Sequence, residues 1–478
     1  MLFIVLLARL FGPEVTGMFL LYRAALDILS KFGAVGLERS LLSLLSRYVT
    51  THEWKDAYRI IGQFLFVGSI VTGGLVLLLQ LFANPLAEAL YHNNDFSNAL
   101  RVLSITAIFY FFTSLFLSTT RAMRIMHYEV ITKSIVEPFL LLIFSIIIYF
   151  LGWGFEGLCI ALMLSSIVGS CLAIYFFSKY FSILRTLSNI FNFYQLKSLV
   201  HYTTPIGIQD VMTILLQRVD LFLVDRLLSP TAVGIYAVAQ EIASVLKAPK
   251  QSFIPIFIPV ISQAYERNDR NTMEKQYQNV SRWLMLISIG VFGFMIVAMK
   301  PIIALFGPEF FTAAGVVYLI GTAFVLNGIM GIGESVILIK RPGINLSNTF
   351  LAVLINLLFG SLFITQLGIY GAALGALCAF AALNIARVLQ VNYFEGIQPF
   401  TPHHTQGLLA AIIPGVLTAS IVQNFTLPLI FHVIAGALFL LTYLGILVKF
   451  SLATEDRQVL QALFAKLRQQ YKPTKFQW

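Results

Sequence analysis

Fourteen times along the 478-residue chain the sequence becomes apolar for long enough to consider a bilayer. A helix needs about 20 such residues to cross one. The runs centre near Val5, Leu26, Ile70, Ile108, Leu142, Leu164 and Leu215, then near Val245, Ile289, Phe324, Leu354, Leu377, Ile413 and Leu438. Only 11% of the side chains are charged, roughly half the share a soluble domain carries. The pattern predicts an all-α, polytopic membrane protein with about fourteen transmembrane helices. Counting domains from length has no meaning for such a chain.

The net charge of +10 would suggest nucleic acid in a soluble protein. No basic-aromatic module accompanies it here, so nucleic-acid binding is set aside. The cations instead follow the rule that Lys and Arg stay in cytoplasmic loops. Arg39, Arg47, Lys55 and Arg59 follow the second run, and Arg121, Arg124 and Lys133 follow the fourth. Lys179, Arg185 and Lys197 follow the sixth, and Arg267, Arg270, Lys275 and Arg282 the eighth. Lys340 and Arg341 come after the tenth, Arg387 ends the twelfth, and a basic tail begins at Lys449. The alternate loops hold only Arg9, Arg101, Arg226 and Lys300. Both termini are therefore expected in the cytoplasm.

Cys159, Cys171 and Cys378 lie inside apolar runs without ligand-like spacing, and read as buried packing residues. The scattered His residues, His403 and His404 among them, form no metal motif. No phosphate-cradling Gly loop is present either. The sequence thus implies no cofactor, no metal and no ATP hydrolysis. It has no recognisable cleavable signal. The first run is short for a span, and the expectation is that Met1 falls inside the first helix or that a natural start has been lost.

Two segments suit the membrane surface. Between Lys179 and Lys197, Tyr180, Leu184, Leu187, Phe191 and Tyr194 share one helical face, opposite Ser182, Arg185, Asn189 and Asn192. In the tail, Thr454, Glu455 and Asp456 can cap a helix with Val459, Leu460, Leu463 and Leu467 on one side. Surface anchoring is the reading preferred over docking of a partner enzyme.

The stretch RLFGPEVTGMF near the start has a near copy, RLLSPTAVGIY, at mid-chain. Setting Arg9 on Arg226 also sets Leu10 on Leu227, Pro13 on Pro230, Gly17 on Gly234 and Tyr48 on Tyr265. With small gaps, Asn84-Pro85 echoes Lys300-Pro301, and LGWGFEGLCIA echoes LGIYGAALGA. The expected organisation is two six-helix lobes, 1–195 and 196–400, followed by two extra helices and a cytoplasmic tail over 401–478. An even number of spans per lobe gives a parallel repeat, related by an axis along the membrane normal. Two such lobes suit alternating access. Gly17 and Gly234 are expected to let the helix after each corner pack closely.

Ionisable groups inside spans are costly and tend to mark a cavity or a pairing. Arg23, Asp27 and Lys31 form one stripe at i, i+4, i+8. Either Asp27 neutralises both neighbours or the stripe is a cationic ladder beside a cleft. In the seventh run Asp210, Thr213, Gln217 and Asp220 share a face expected to line a water-filled cavity. Arg218 is expected to pair with Asp220 or Asp225, or to face that cavity. The eighth run carries Gln240, Ser244 and Lys247 on one stripe with Glu241 and Lys250 alongside. Pro249, Pro255 and Pro259 follow, each favouring a bend. Asn327 and Glu334 share a stripe in the tenth, and Glu137 with Pro138 marks the fifth; either carboxylate could take a coupling cation or proton. The mixture of signs does not by itself establish an anionic substrate.

ARLFGPEVTGMF, the midpoint QRVDLFLVDRLLSPTAVGIYAVAQEI, the span count and the repeat together resemble the multidrug/oligosaccharidyl-lipid/polysaccharide exporter superfamily. Within it the chain is most similar to bacterial polysaccharide flippases of the Wzx type, over nearly its whole length. That resemblance implies a non-enzymatic transporter of the inner membrane that moves undecaprenyl-pyrophosphate-linked oligosaccharide for O-antigen, capsule or exopolysaccharide synthesis. It implies a substrate cavity lined by Arg23, Asp27, Lys31, Gln217, Arg218, Gln240 and Lys247. It further implies coupling to protons or sodium, with Asp27, Asp210 and Glu334 as candidates, and work beside a polymerase and glycosyltransferases. The rivals are a cation-coupled drug or small-molecule exporter of the same superfamily, a membrane-embedded glycan polymerase or ligase, and a scaffold for glycosyltransferases. The sequence does not identify the sugar repeat or the oligomeric state.

Overall fold

The structure, a computed structural model, describes residues 1–34, 36–91, 95–191, 196–424 and 428–451. Helix follows helix, with no strand among the described residues. The first half comprises α1 (Leu2–Ala34), α2 (Leu37–Thr50), α3 (Trp54–Tyr91), α4 (Asp95–Ala122) and the single turn α5 (His127–Glu129). It continues with α6 (Glu137–Leu151), α7 (Gly154–Ser178), α8 (Ile183–Ser188), α9 (Leu196–Leu227) and α10 (Pro230–Ala243). Then come α11 (Ala248–Glu266), α12 (Arg270–Val297), α13 (Met299–Ala304), α14 (Ala313–Met330) and α15 (Gly333–Lys340). The last are α16 (Pro342–Leu367), α17 (Ile369–Glu395), α18 (Pro402–Asn424) and α19 (Leu429–Ile446).

Ten helices among the described residues are long and apolar enough to cross a membrane, against the fourteen runs expected. The difference has physical causes. The first two runs are two helical stretches that meet at a kink at Gly12, whose φ of 73° is left-handed, and together they count as one of the ten under the label α1. Pro13 beside it has no N–H, and its ring would crowd the Arg9 carbonyl. α9 holds Asp210, Arg218, Asp220 and Asp225, too much charge for an ordinary span. The eighth run is divided: α10 tightens into a 3-10 turn over Ser244–Lys247 before α11 begins. Pro249 sits in the first turn of α11, and its ring would crowd the Val245 carbonyl, so the helix tightens just ahead of it. Part of α18, which carries the Ile413 run, lies outside the described side chains.

The described chain forms two compact units. The first comprises Met1–Ile242, Phe306–Val316 and Leu346–Ala379. Leu37, Leu41, Leu45, Phe64, Phe177 and Phe181 are at its core. The second comprises Ala243–Leu305, Val317–Asn345 and the described residues from Phe380 onward. Phe257, Ile261, Tyr277, Ile332 and Val391 pack at its centre. Large apolar side chains such as Leu81, Phe150 and Leu362 stand exposed on the outer flanks. Such a surface is suited to lipid, which is as apolar as the side chains themselves.

Within the first unit the two copied corners meet. A Cβ built on Gly17 would lie 2.0 Å from the Pro230 carbonyl oxygen, and one on Gly234 would lie 2.0 Å from that of Pro13. The contact is reciprocal, so α1 and α10 cross backbone to backbone where neither position has room for a side chain.

The linker departs from a continuous amphipathic helix. α8 has a single capped stretch, with Ser182 accepting from the Arg185 N–H. It is pinned to α3 where the Ser182 N–H donates to the Tyr58 hydroxyl at 3.0 Å. Leu184, Leu187 and Phe191 are exposed, as expected of a face turned to lipid. Asn192 and Tyr194, and the tail helix from Thr454, lie outside the described residues. Cys159 is buried, but Cys171 is exposed on α7 and Cys378 half-buried, so uniform burial of the cysteines does not hold.

Candidate functional site

In the first unit, α1 and α9 bring opposite charges together inside the helical layer. Arg218 donates to the Asp27 carboxylate at 3.0 Å and approaches Glu241 on α10 at 3.9 Å. These three side chains are each about a quarter exposed. Asp27 therefore answers a cation from α9, not its own helix neighbours. Arg218 correspondingly passes over Asp220 and Asp225. Lys31, at the end of the same stripe, pairs with Glu38 on α2 at 2.9 Å.

A cavity of about 270 Å³ opens alongside, lined by Lys31, Glu38, Arg39, Arg121, Asp210 and Gln217. Arg39 reaches Asp210 at 3.1 Å, and Arg121 reaches Glu129 at 3.3 Å. Thr213 also lines the cavity, its hydroxyl donating to the Gln209 carbonyl. Three of the four residues on the polar face of α9 thus border open volume. The fourth is packed: the Tyr236 hydroxyl and the Gln240 amide each donate to Asp220 at 2.6 Å. Gln240, predicted to line a cavity, is buried and ties α10 to α9. Arg23 opens into a separate cavity of about 190 Å³ with Tyr110, Lys133, Glu137 and Glu241.

The second unit holds its own polar centre. Glu334 pairs with Lys250 at 3.4 Å and with Arg387 at 3.3 Å. Lys250 also donates to Asn327 at 3.3 Å, so the Asn327 and Glu334 stripe converges on one ammonium despite the break between α14 and α15. Arg387 makes two further bonds to Asn345, at 2.9 and 3.2 Å. Lys247 lies apart from this network, its ammonium 4.3 Å from the centre of the Phe324 ring.

Sequence reasoning used Arg39 and Arg121 only to assign sides of the membrane, and it did not consider Glu38. The helical stripe would have found Glu38. α2 resumes after Gly36, so Glu38 comes back alongside Lys31 one helical repeat later. Arg387 was read as a helix end, and its partners on other helices leave no local signal.

A family model described as polysaccharide biosynthesis protein matches residues 6–314, well over half of the chain. The chain belongs to the polysaccharide biosynthesis protein family. A curated relative, the probable low-salt glycan biosynthesis flippase Agl15 of Haloferax volcanii, is 22% identical over 209 residues. That match covers 43% of this chain and 44% of the relative, so the chain spans less than half the length of the curated protein it matches. Among solved structures, the inward closed conformation of the lipid II flippase MurJ superposes with a TM-score of 0.72 at 15% identity. It covers 94% of this chain and 96% of that one. An inward-facing multidrug resistance MATE transporter of the MOP superfamily gives 0.69 at 16% identity, over 82% and 93%. This member of the polysaccharide biosynthesis family therefore has the fold of MATE transporters and MurJ. The superfamily resemblance carried by the two corners is borne out, as is the reading of a multi-pass membrane protein.

Proposed function

We propose that this polysaccharide biosynthesis protein is a flippase, a transporter rather than an enzyme. Its cargo is undecaprenyl-pyrophosphate-linked oligosaccharide, carried from the cytoplasmic to the periplasmic leaflet of a bacterial inner membrane by alternating access of two six-helix lobes, 1–195 and 196–400. The observation that carries this reading is the open cavity between membrane helices in which Lys31, Arg39 and Arg121 stand beside two carboxylates, Glu38 and Asp210. A pyrophosphate in a membrane needs several cations at once. Cations already paired with carboxylates can exchange them for phosphate oxygens without ever standing unpaired. Gln217 and Thr213 supply the amide and hydroxyl that sugar hydroxyls need. Asp27 and Arg218 hold α1 to α9 beside this cavity, Arg23 adds a cation in the second cavity of the first unit, and Lys247, in the second unit, is a further substrate contact. A proton or sodium gradient drives the cycle, and the flipped unit passes to a polymerase after assembly by glycosyltransferases.

The test is a strain whose surface glycan depends on this gene. Replacing Arg23 and Lys247 together by Ala is expected to abolish surface glycan while the protein still inserts at wild-type level. Normal glycan in that double mutant would contradict the assignment. Efflux of cationic dyes by the wild-type protein, with glycan independent of the gene, would favour the drug-exporter reading instead.

A further inference from the structure

The three carboxylates suggested for ion coupling are all committed to cations. Asp27 pairs with Arg218 at 3.0 Å, Asp210 with Arg39 at 3.1 Å, and Glu334 with both Lys250 and Arg387. Protonating Asp27 or Glu334 would strand a partly buried cation, which is costly; protonating Asp210 would break its ion pair with Arg39, whose guanidinium is exposed. Glu137 stands differently. Among the described residues it has no ion-pair partner within 4.0 Å, and it opens into the cavity of about 190 Å³ in the first unit.

The backbone builds this position deliberately. Val130–Val136 forms a π-helical turn, and the Glu137 N–H bonds the Thr132 carbonyl five residues back. Pro138 lacks an N–H, and its ring would crowd the Ser134 carbonyl, so the turn ahead of it widens. The widening takes Glu137 out of the register that the α-helix would have given it. α7 makes room on the other side: a Cβ on Gly169 would sit 2.0 Å from the Glu137 Oε1. The carboxylate occupies the space of a missing side chain.

The groups facing it come from every neighbouring element. Arg23 extends from α1, Tyr110 from α4, Lys133 from the π-helical turn, Ser165 from α7 and Glu241 from α10, with Met1 at one end of the cavity. Lys133 also donates to Ser114 at 3.1 Å. Two cations therefore surround two carboxylates across water-sized space. A sodium ion here would need several oxygen ligands while lying between an ammonium and a guanidinium. A proton needs neither.

We propose that Glu137 is the proton-binding carboxylate of this transporter, alternately charged and neutral in the cavity it shares with Arg23. The inference rests on the transport reading above. In the charged state Arg23 and Lys133 balance it through the cavity. When a proton binds one carboxylate oxygen from the cavity, Arg23 loses that balance and becomes free to face a polyanionic headgroup. Release of the proton on the opposite side restores the charge balance across the cavity and displaces the headgroup.

Infrared difference spectra of the purified full chain in liposomes, recorded between acid and alkaline buffer, test this without any glycan. The wild type is expected to show a carboxylic-acid carbonyl band that titrates away. Glu137→Gln should remove it, Glu137→Asp should keep it at a shifted frequency, and Asp210→Asn and Glu334→Gln should leave it in place. A band unchanged in Glu137→Gln overturns the proposal. So does a band that sodium chloride abolishes at fixed acid pH while potassium chloride does not, which would mean sodium binding. In cells, Glu137→Gln is expected to lose at least tenfold in glycan export with the protein still inserted. A titrating Glu137 in a protein that moves no glycan would leave this site standing and overturn the flippase reading alone.

Discussion

Arg218 and Arg387 are both guanidiniums held among membrane helices, and they differ in how firmly they are held. Arg218, 24% exposed, has one acid at 3.0 Å and a second at 3.9 Å, and its neighbour Gln217 lines the cavity of about 270 Å³. Arg387, 4% exposed, shares the single carboxylate of Glu334 with Lys250 and is fastened twice to Asn345. A half-open cation flanked by acids can change partners and leave no charge alone. An enclosed one cannot, because removing its partner leaves a bare charge in a medium that solvates it poorly. The first arrangement suits exchange with a polyanionic ligand, and the second suits holding α11, α15 and α17 in place.

The largest effect is expected where the enclosed network is cut. Glu334→Ala strands two cations and should cost on the order of 3–5 kcal/mol, read as thermal unfolding of the detergent-solubilised protein. A loss below about 1 kcal/mol, ordinary for a surface change, would erase the distinction between the two centres. Next comes the corner crossing in the first unit. Gly17→Leu drives a side chain into the Pro230 backbone and should cost roughly 1–3 kcal/mol, as overpacking does. Glycan export should fall with it, and unchanged stability would mean that the two corners do not touch.

Much of this was legible in the sequence because it is periodic. The apolar runs gave the helices, and the paired corners gave the duplication through Gly17 and Gly234, whose need for closeness shows in their lack of a side chain. Asp27 and Lys31 were visible as a helical stripe, but their partners were not. Arg218 comes from α9, and that tertiary distance leaves no mark on local spacing; Glu38, one helical repeat past Lys31, was within reach of the stripe but lies beyond the Gly36 turn. Pro249 announced a bend, and what lies ahead of it is the 3-10 turn over Ser244–Lys247. The count of spans was less legible. Hydropathy finds the two stretches of α1 but not the Gly12 kink at which they meet, and it cannot tell a span whose charges are matched by other helices, as in α9, from a chain too polar to cross.

Arg218→Ala carries the smallest expected cost in stability and the sharpest functional one. Its partners are about a quarter exposed, so the loss should stay near 1 kcal/mol, the range of partly screened pairs. The decisive measurement is translocation in liposomes containing the purified protein and lipid-linked oligosaccharide extracted from the host strain. Protection of the glycan from an externally added glycosidase reports which leaflet it occupies. The wild type should equilibrate the glycan between leaflets, and Arg218→Ala should hold it where it was loaded while unfolding at nearly the wild-type temperature. Equal translocation by both proteins, or none by the wild type, would contradict a flippase that works through the open charge centre of its first unit.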